Sequence, residues 1–105
     1  ELNIIVVDPG DISCRDLSLP NTFTPNDDGL NDFFAISNQS IVEELVRFQI
    51  FDRWGGLIFE TTDKFGRWDG SYQGERVPPG VYLYRVTHIC EGEELVKQGS
   101  VNVLR

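Results

Sequence analysis

An antiparallel β-sandwich of about seven strands is the fold class this sequence predicts, and three observations predict it. Nearly every periodic stretch alternates apolar and polar residues with period two. Turn residues recur roughly every eight to twelve positions, the spacing of short strands in a two-sheet fold. No stretch carries a helical amphipathic pattern of useful length. A chain of 105 residues makes one domain, able to bury roughly 65% of its unfolded surface.

The elements follow in order. Residues 2–7 are a β-branched run closed by Asp8-Pro9-Gly10-Asp11; they are either the last strand of a preceding domain or a first strand of this one. Residues 32–37 read as a strand. Residues 42–52 alternate, with Val46, Phe48 and Ile50 facing one way and Arg47 and Gln49 the other. Gly55-Gly56 supplies a tight turn into a strand over residues 57–61. Residues 63–74 read as a loop punctuated by Gly66, Gly70 and Gly74. Residues 81–90 alternate again, placing Tyr82, Tyr84, Val86, His88 and Cys90 on one side. Glu91-Gly92-Glu93 then turns the chain into residues 94–103, with a bulge expected at Gly99. Pro78-Pro79-Gly80 delivers Tyr82 at the start of a long strand, as in the tyrosine corner of immunoglobulin-like and fibronectin-like sandwiches. That is the sandwich type expected.

Composition narrows the function. Hydrophobic residues at 40% and charged residues at 25% describe a globular domain rather than a disordered tail. A net charge of −8 and a pI near 4.4 oppose nucleic-acid binding, because few cations are available to displace phosphate counterions. The same balance opposes docking on anionic lipid, and no apolar run is long enough for direct membrane insertion. Glu1 is not an initiator methionine, so the chain is expected to be a piece of a longer precursor. Cys14 and Cys90 fit neither a metal site nor a redox pair. The expectation is a disulfide closing a loop of about 75 residues, worth roughly 4 kcal/mol and implying an oxidising compartment; two buried free thiols are the alternative.

An enzyme is not expected. The single histidine, His88, lies in mid-strand, where such a residue is ordinarily structural, and no serine or cysteine comes with an identifiable base. The densest polar cluster is Asn26-Asp27-Asp28-Gly29-Leu30-Asn31-Asp32. Asn26, Asp28, Asn31 and Asp32 offer hard oxygen ligands around a sharp turn, suited to one structural calcium ion. The favoured reading is a plain Asx turn in which Asn26 and Asp28 accept backbone N–H bonds and Gly29 supplies a positive φ, with calcium as the alternative; no cofactor is otherwise required. Trp54 and Trp68 are either a sugar-stacking platform or, the favoured reading, two plugs over the open end of the sandwich.

The order of the motifs adds a resemblance. Asn21-Thr-Phe-Thr-Pro-Asn-Asp-Asp-Gly-Leu-Asn-Asp32 is followed by Ile50-Phe-Asp-Arg-Trp-Gly-Gly-Leu-Ile-Phe59 and Trp68-Asp-Gly-Ser-Tyr-Gln-Gly74. Pro79-Gly-Val-Tyr-Leu-Tyr84 and Gly99-Ser-Val-Asn-Val-Leu-Arg105 complete the series. This resembles the type B, gliding-motility-associated C-terminal sorting domain of the type IX secretion system of Bacteroidota. The resemblance covers residues 21–105, leaving residues 1–20 as a linker or the end of a preceding domain. Asp27 departs from the family's usual glycine and Asp52 from its usual asparagine.

The resemblance implies a non-catalytic secretion signal that folds in the periplasm as a monomer. It would direct an upstream cargo protein across the outer membrane to the cell surface. Its implied partners are the secretion machinery and an outer-membrane protein of the PorP/SprF type. Two surfaces are the expected partner-binding parts: the loop at Asp27, Asp28 and Gly29, and the terminal segment with Gly99, Val101, Val103, Leu104 and Arg105. The alternation of that segment suits addition to another sheet edge. An extracellular carbohydrate-binding or adhesin-type module is the alternative.

Overall fold

The computed structural model describes residues 14–25 and 32–104. The expected strand over residues 2–7 lies outside them. The described chain is all-β apart from one 3-10 turn at Gln39–Ile41. Its strands are β1 (Thr22–Phe23), β2 (Glu44–Phe51), β3 (Leu57–Thr61), β4 (Ser71–Tyr72), β5 (Glu75–Arg76), β6 (Gly80–Cys90) and β7 (Glu93–Val103). Five form one sheet in the order β1-β7-β6-β2-β3, and β4 pairs with β5.

The β6–β7 hairpin is the backbone of the fold. Only Glu91 and Gly92 separate its strands, with φ of 53° and 81°, as a type I′ turn requires. Glu43 Oε1 accepts the Glu91 N–H at 2.9 Å and steadies the left-handed glutamate. Register then runs unbroken from Cys90↔Glu93 to Gly80↔Val103. The bulge expected at Gly99 is therefore absent; Gly99 pairs squarely with Tyr84. Irregularities fall in β2 instead. Between Leu45 and Arg47 the register against β6 shifts, leaving Val46 as the extra residue. Phe48 and Ile50 are buried as expected, but the shift puts Leu45 in the core in place of Val46.

The β2–β3 connection spans more than the two glycines. Asp52 N–H bonds Gly56 O, and Asp52 Oδ1 accepts the N–H groups of Trp54 at 2.9 Å and Gly56 at 2.8 Å. Asp52 thus organises the turn through its own side chain, while Gly55 takes a φ of 87°.

Two features depart from a purely antiparallel sandwich. β1 joins β7 in parallel, with Asn102 N–H on Asn21 O at 2.9 Å and Leu104 N–H on Phe23 O at 3.0 Å. The strand expected over residues 32–37 is reduced to one bridge, Phe34 with Trp68. The second layer is consequently built of irregular segments around the small β4–β5 hairpin. Their side chains Leu17, Phe34, Ile36, Val42, Trp68 and Val77 pack onto the inward face of the sheet. Ser18 and Ser37 join two of these segments by a backbone bond of 2.8 Å. Asn38 holds the same pair from its side chain, accepting from Ser18 N–H and donating to Asp16 O, both at 2.9 Å.

Aromatic rings fill the space between the layers. Phe23 contacts Trp68, Phe34 contacts Tyr84, and Trp68 meets Tyr82 edge-on, with centroids 5.5–5.6 Å apart. Trp68 donates its indole N–H to Ser71 O at 2.9 Å, so its burial leaves no orphan donor. Tyr82 Oη donates to Pro78 O at 2.6 Å, the tyrosine corner expected from the sequence. Cys14 and Cys90 form a disulfide across a separation of 76 residues, tying the entering segment to the end of β6.

Candidate functional site

The motif residues divide sharply by depth. Phe23, Phe34, Trp68, Tyr82 and Tyr84 are core aromatics. They maintain the fold and present nothing to a partner. Trp68 is 1% exposed, the plug expected of it, whereas Trp54 is 85% exposed and plugs nothing. The two indoles therefore cannot share a sugar platform. Trp54 rides on the Asp52–Gly56 turn, which projects away from the core.

The polar loop falls almost wholly outside the described residues: Asn26, Asp27, Asp28, Gly29 and Asn31 are not described, and Asp32 is half-buried at its exit. Among the described residues, only Cys14, Glu43 and Cys90 come close enough together to share a metal. Both sulfurs are spent in the disulfide, which leaves one carboxylate. Glu43 Oε2 lies 3.4 Å from Cys14 Sγ, a contact with a sulfur that carries no proton.

His88 is buried on the inward face, opposite Leu45 on β2 and Leu95 on β7. Its Nδ1 has no hydrogen-bond partner. Burial pushes its pKa below 6.5, and the nearby Glu43 carboxylate opposes that shift in part. The imidazole is thus held neutral among apolar neighbours, a structural setting.

The terminal strand is the informative surface. Val101 and Val103 point into the core and are fully buried, so their side chains are not available to a partner. Gly99 faces inward beneath Tyr84. Leu104 is 49% exposed, and Arg105 lies outside the described residues. Nor is the backbone free at the end of β7, because β1 occupies it.

The open part lies earlier in the strand. Asn102 and Leu104 direct their N–H groups toward β1, and alternate residues of a strand point their backbone groups the same way. With the register unbroken, Glu94, Val96, Gln98 and Ser100 direct N–H and C=O away from β6. No described strand pairs with them. The sequence offered an edge-adding pattern over residues 95–105 and a recognised surface at 99–105; β1 covers the end of that run, and among the described residues nothing pairs with residues 94–100. The missed signal was the parallel β1, since two residues of strand leave no periodicity to read.

Residues 14–20 are also integral to the packing. Leu17 is in the core, and Cys14 is bonded to β6.

Residues 17–103 match the family model described as the CHU_C type IX secretion signal domain. No curated protein matches the chain.

Proposed function

The chain belongs to the CHU_C type IX secretion signal domain family, and on that premise we propose that it is a non-catalytic export label for a protein joined upstream of it. The label folds in the periplasm, is recognised by the type IX machinery, and takes its cargo across the outer membrane to the cell surface. An outer-membrane protein of the PorP/SprF type receives it.

The observation that carries this reading is the edge of β7 over residues 94–100, which pairs with no strand among the described residues. Such an edge binds an added strand through main-chain hydrogen bonds, with side chains on alternate positions setting specificity. It is longer than the opposite edge strand β3. Charged residues at Glu93, Glu94 and Lys97 guard it against indiscriminate pairing. A folded label read in this way needs no active-site cleft.

The test is a secretion assay. The whole chain is fused behind a signal peptide and a fluorescent reporter in a gliding bacterium, with and without the type IX machinery. Reporter at the surface or in the medium only when the machinery is intact supports the reading. Folded reporter retained in the periplasm of both strains, with a PorP/SprF-type partner supplied, overturns it.

A structural calcium ion on Asn26, Asp28, Asn31 and Asp32 belongs to the same proposal, supported by the density of oxygen side chains there. Chelation should lower the melting temperature, and millimolar calcium should restore it. A melting curve indifferent to both removes the ion.

A further inference from the structure

The outward face of the sheet carries a surface that the export role does not use. Leu57, Phe51 and Leu83 stand in register across β3, β2 and β6. Beside them Gly55 joins Phe51, Leu83, Arg85 and Gln98 in lining a groove of about 470 Å³. The residue preceding Gly55 is the exposed Trp54.

One guanidinium lines this groove, and a second lies on the turn that brings Gly55 to it. Arg85 lies over the Phe51 ring, 5.4 Å from its centroid, and donates from Nε to Gln98 Oε1 at 3.3 Å. Arg53 lies 5.8 Å from the Trp54 centroid. The chain has seventeen acidic side chains against nine basic ones. Even so, among the described residues the only ion pair is Arg15 with Glu93, at the far end of β7. Arg85 in the groove and Arg53 on the neighbouring turn are therefore held against aromatic faces with no carboxylate partner among the described residues. Stacking leaves the in-plane N–H donors of a guanidinium open to a planar anion.

The surface thus offers flat apolar faces beside unpaired cations, and a fitting ligand carries C–H faces beside carboxylates. We propose that this groove binds an acidic polysaccharide, with pyranose rings lying on Trp54 and on the Phe51–Leu83 surface and uronate carboxylates taken by Arg53 and Arg85. An extended acidic peptide fits less well. The groove reaches the backbone at Tyr84 and Gly99, where the β6–β7 ladder already pairs the main-chain groups. A peptide would find no partners there for its own N–H and C=O. The proposal concerns the outward face of the sheet and shares with the β7 edge only Gln98 and Gly99, and a direct binding titration reads it without any export step.

The experiment titrates the whole chain with polygalacturonate oligosaccharides while following tryptophan fluorescence. Because Trp68 is buried, the response reports Trp54. The expected result is saturable binding with half-saturation at about 0.1–1 mM, weakening severalfold as sodium chloride rises from about 50 to 500 mM. By calorimetry, Trp54→Ala should lower affinity about tenfold, and Arg85→Gln about fivefold or more. Both side chains are exposed, and an unchanged near-ultraviolet circular dichroism spectrum confirms that each variant is folded. Neutral cello-oligosaccharides should bind at least tenfold more weakly, as should poly-glutamate. No saturable binding, equal binding of the neutral sugar or of poly-glutamate, or unchanged affinity in the folded variants overturns the proposal.

Discussion

Tyr84 lies across Gly99 so closely that a Cβ added to the glycine would sit 2.5 Å from the tyrosine Oη and 2.7 Å from Cζ. The two residues face each other across the β6–β7 ladder on the core side of the sheet. The other side of the ring packs on Phe34, at a centroid distance of 5.5 Å. Gly99 is thus required by packing, since its own backbone is regular strand.

Gly99→Ala should consequently destabilise the domain by about 1–3 kcal/mol, the range of overpacking in a close-packed core. Urea unfolding of Gly99→Ala in the native and Tyr84→Ala backgrounds checks the cause. The penalty should shrink to a few tenths of a kcal/mol once the ring is gone. An equal penalty in both backgrounds would assign it to strand conformation instead.

The disulfide is expected to contribute about 4 kcal/mol through the loop it closes. Cys14→Ser with Cys90→Ser should lower the urea midpoint and steepen the slope, because the unfolded chain released from the loop exposes more surface, and a reducing agent should do the same to the native chain. The segment carrying Leu17 should be the first to lose hydrogen-exchange protection, because its covalent tie to β6 is gone and polar contacts such as Arg15 with Glu93 and Asn38 with Ser18 and Asp16 are left near its entry.

Stability should fall on mild acidification because of His88. Its folded-state pKa lies below 6.5, so the unfolded chain takes up the proton first. The contribution is fully present above pH 6.5 and is lost as pH falls through that value toward the lowered one. Urea midpoints measured between pH 7.5 and 5.5 should drop less steeply for His88→Leu than for the native chain. Identical slopes would refute the assignment.

Two neighbouring substitutions separate folding from docking on β7. Val96 directs its N–H to the open edge, so Val96→Pro removes no bond of the sheet and should leave the fold largely intact. It should nevertheless reduce export, by blocking an added strand. Lys97 directs its N–H into the β6 ladder, and Lys97→Pro should cost about 3 kcal/mol or more. Full export of a folded Val96→Pro variant would show that the edge is not what the machinery reads.

Tyr82→Phe tests the corner. Loss of the 2.6 Å bond to Pro78 O should cost about 1–2 kcal/mol, seen as a lower denaturation midpoint with export unaffected in the folded fraction.

Much of this protein follows from the sequence by itself. Alternation with period two assigned β2, β6 and β7, the Gly55-Gly56 turn marked β3, and the alternation placed Tyr82, Tyr84, Val86, His88 and Cys90 together on the buried side. The reason is that two faces of a strand meet different solvents, so the pattern is written locally in residue type. The tyrosine corner and the cysteine pairing were legible too, one from a short motif and the other from elimination. Other matters needed the tertiary structure. Val46 gave way to Leu45 because a bulge depends on how two strands meet. Trp54 and Trp68, alike in sequence surroundings, separated to surface and core because a plug exists only where the second layer closes. The parallel β1 sealed residues 102–104 and, among the described residues, left residues 94–100 unpaired, a contact between the first and last described strands that no local pattern encodes. Which edge remains free is a property of the assembled sheet, because backbone hydrogen-bonding groups are the same at every position and only their neighbours decide whether they are used.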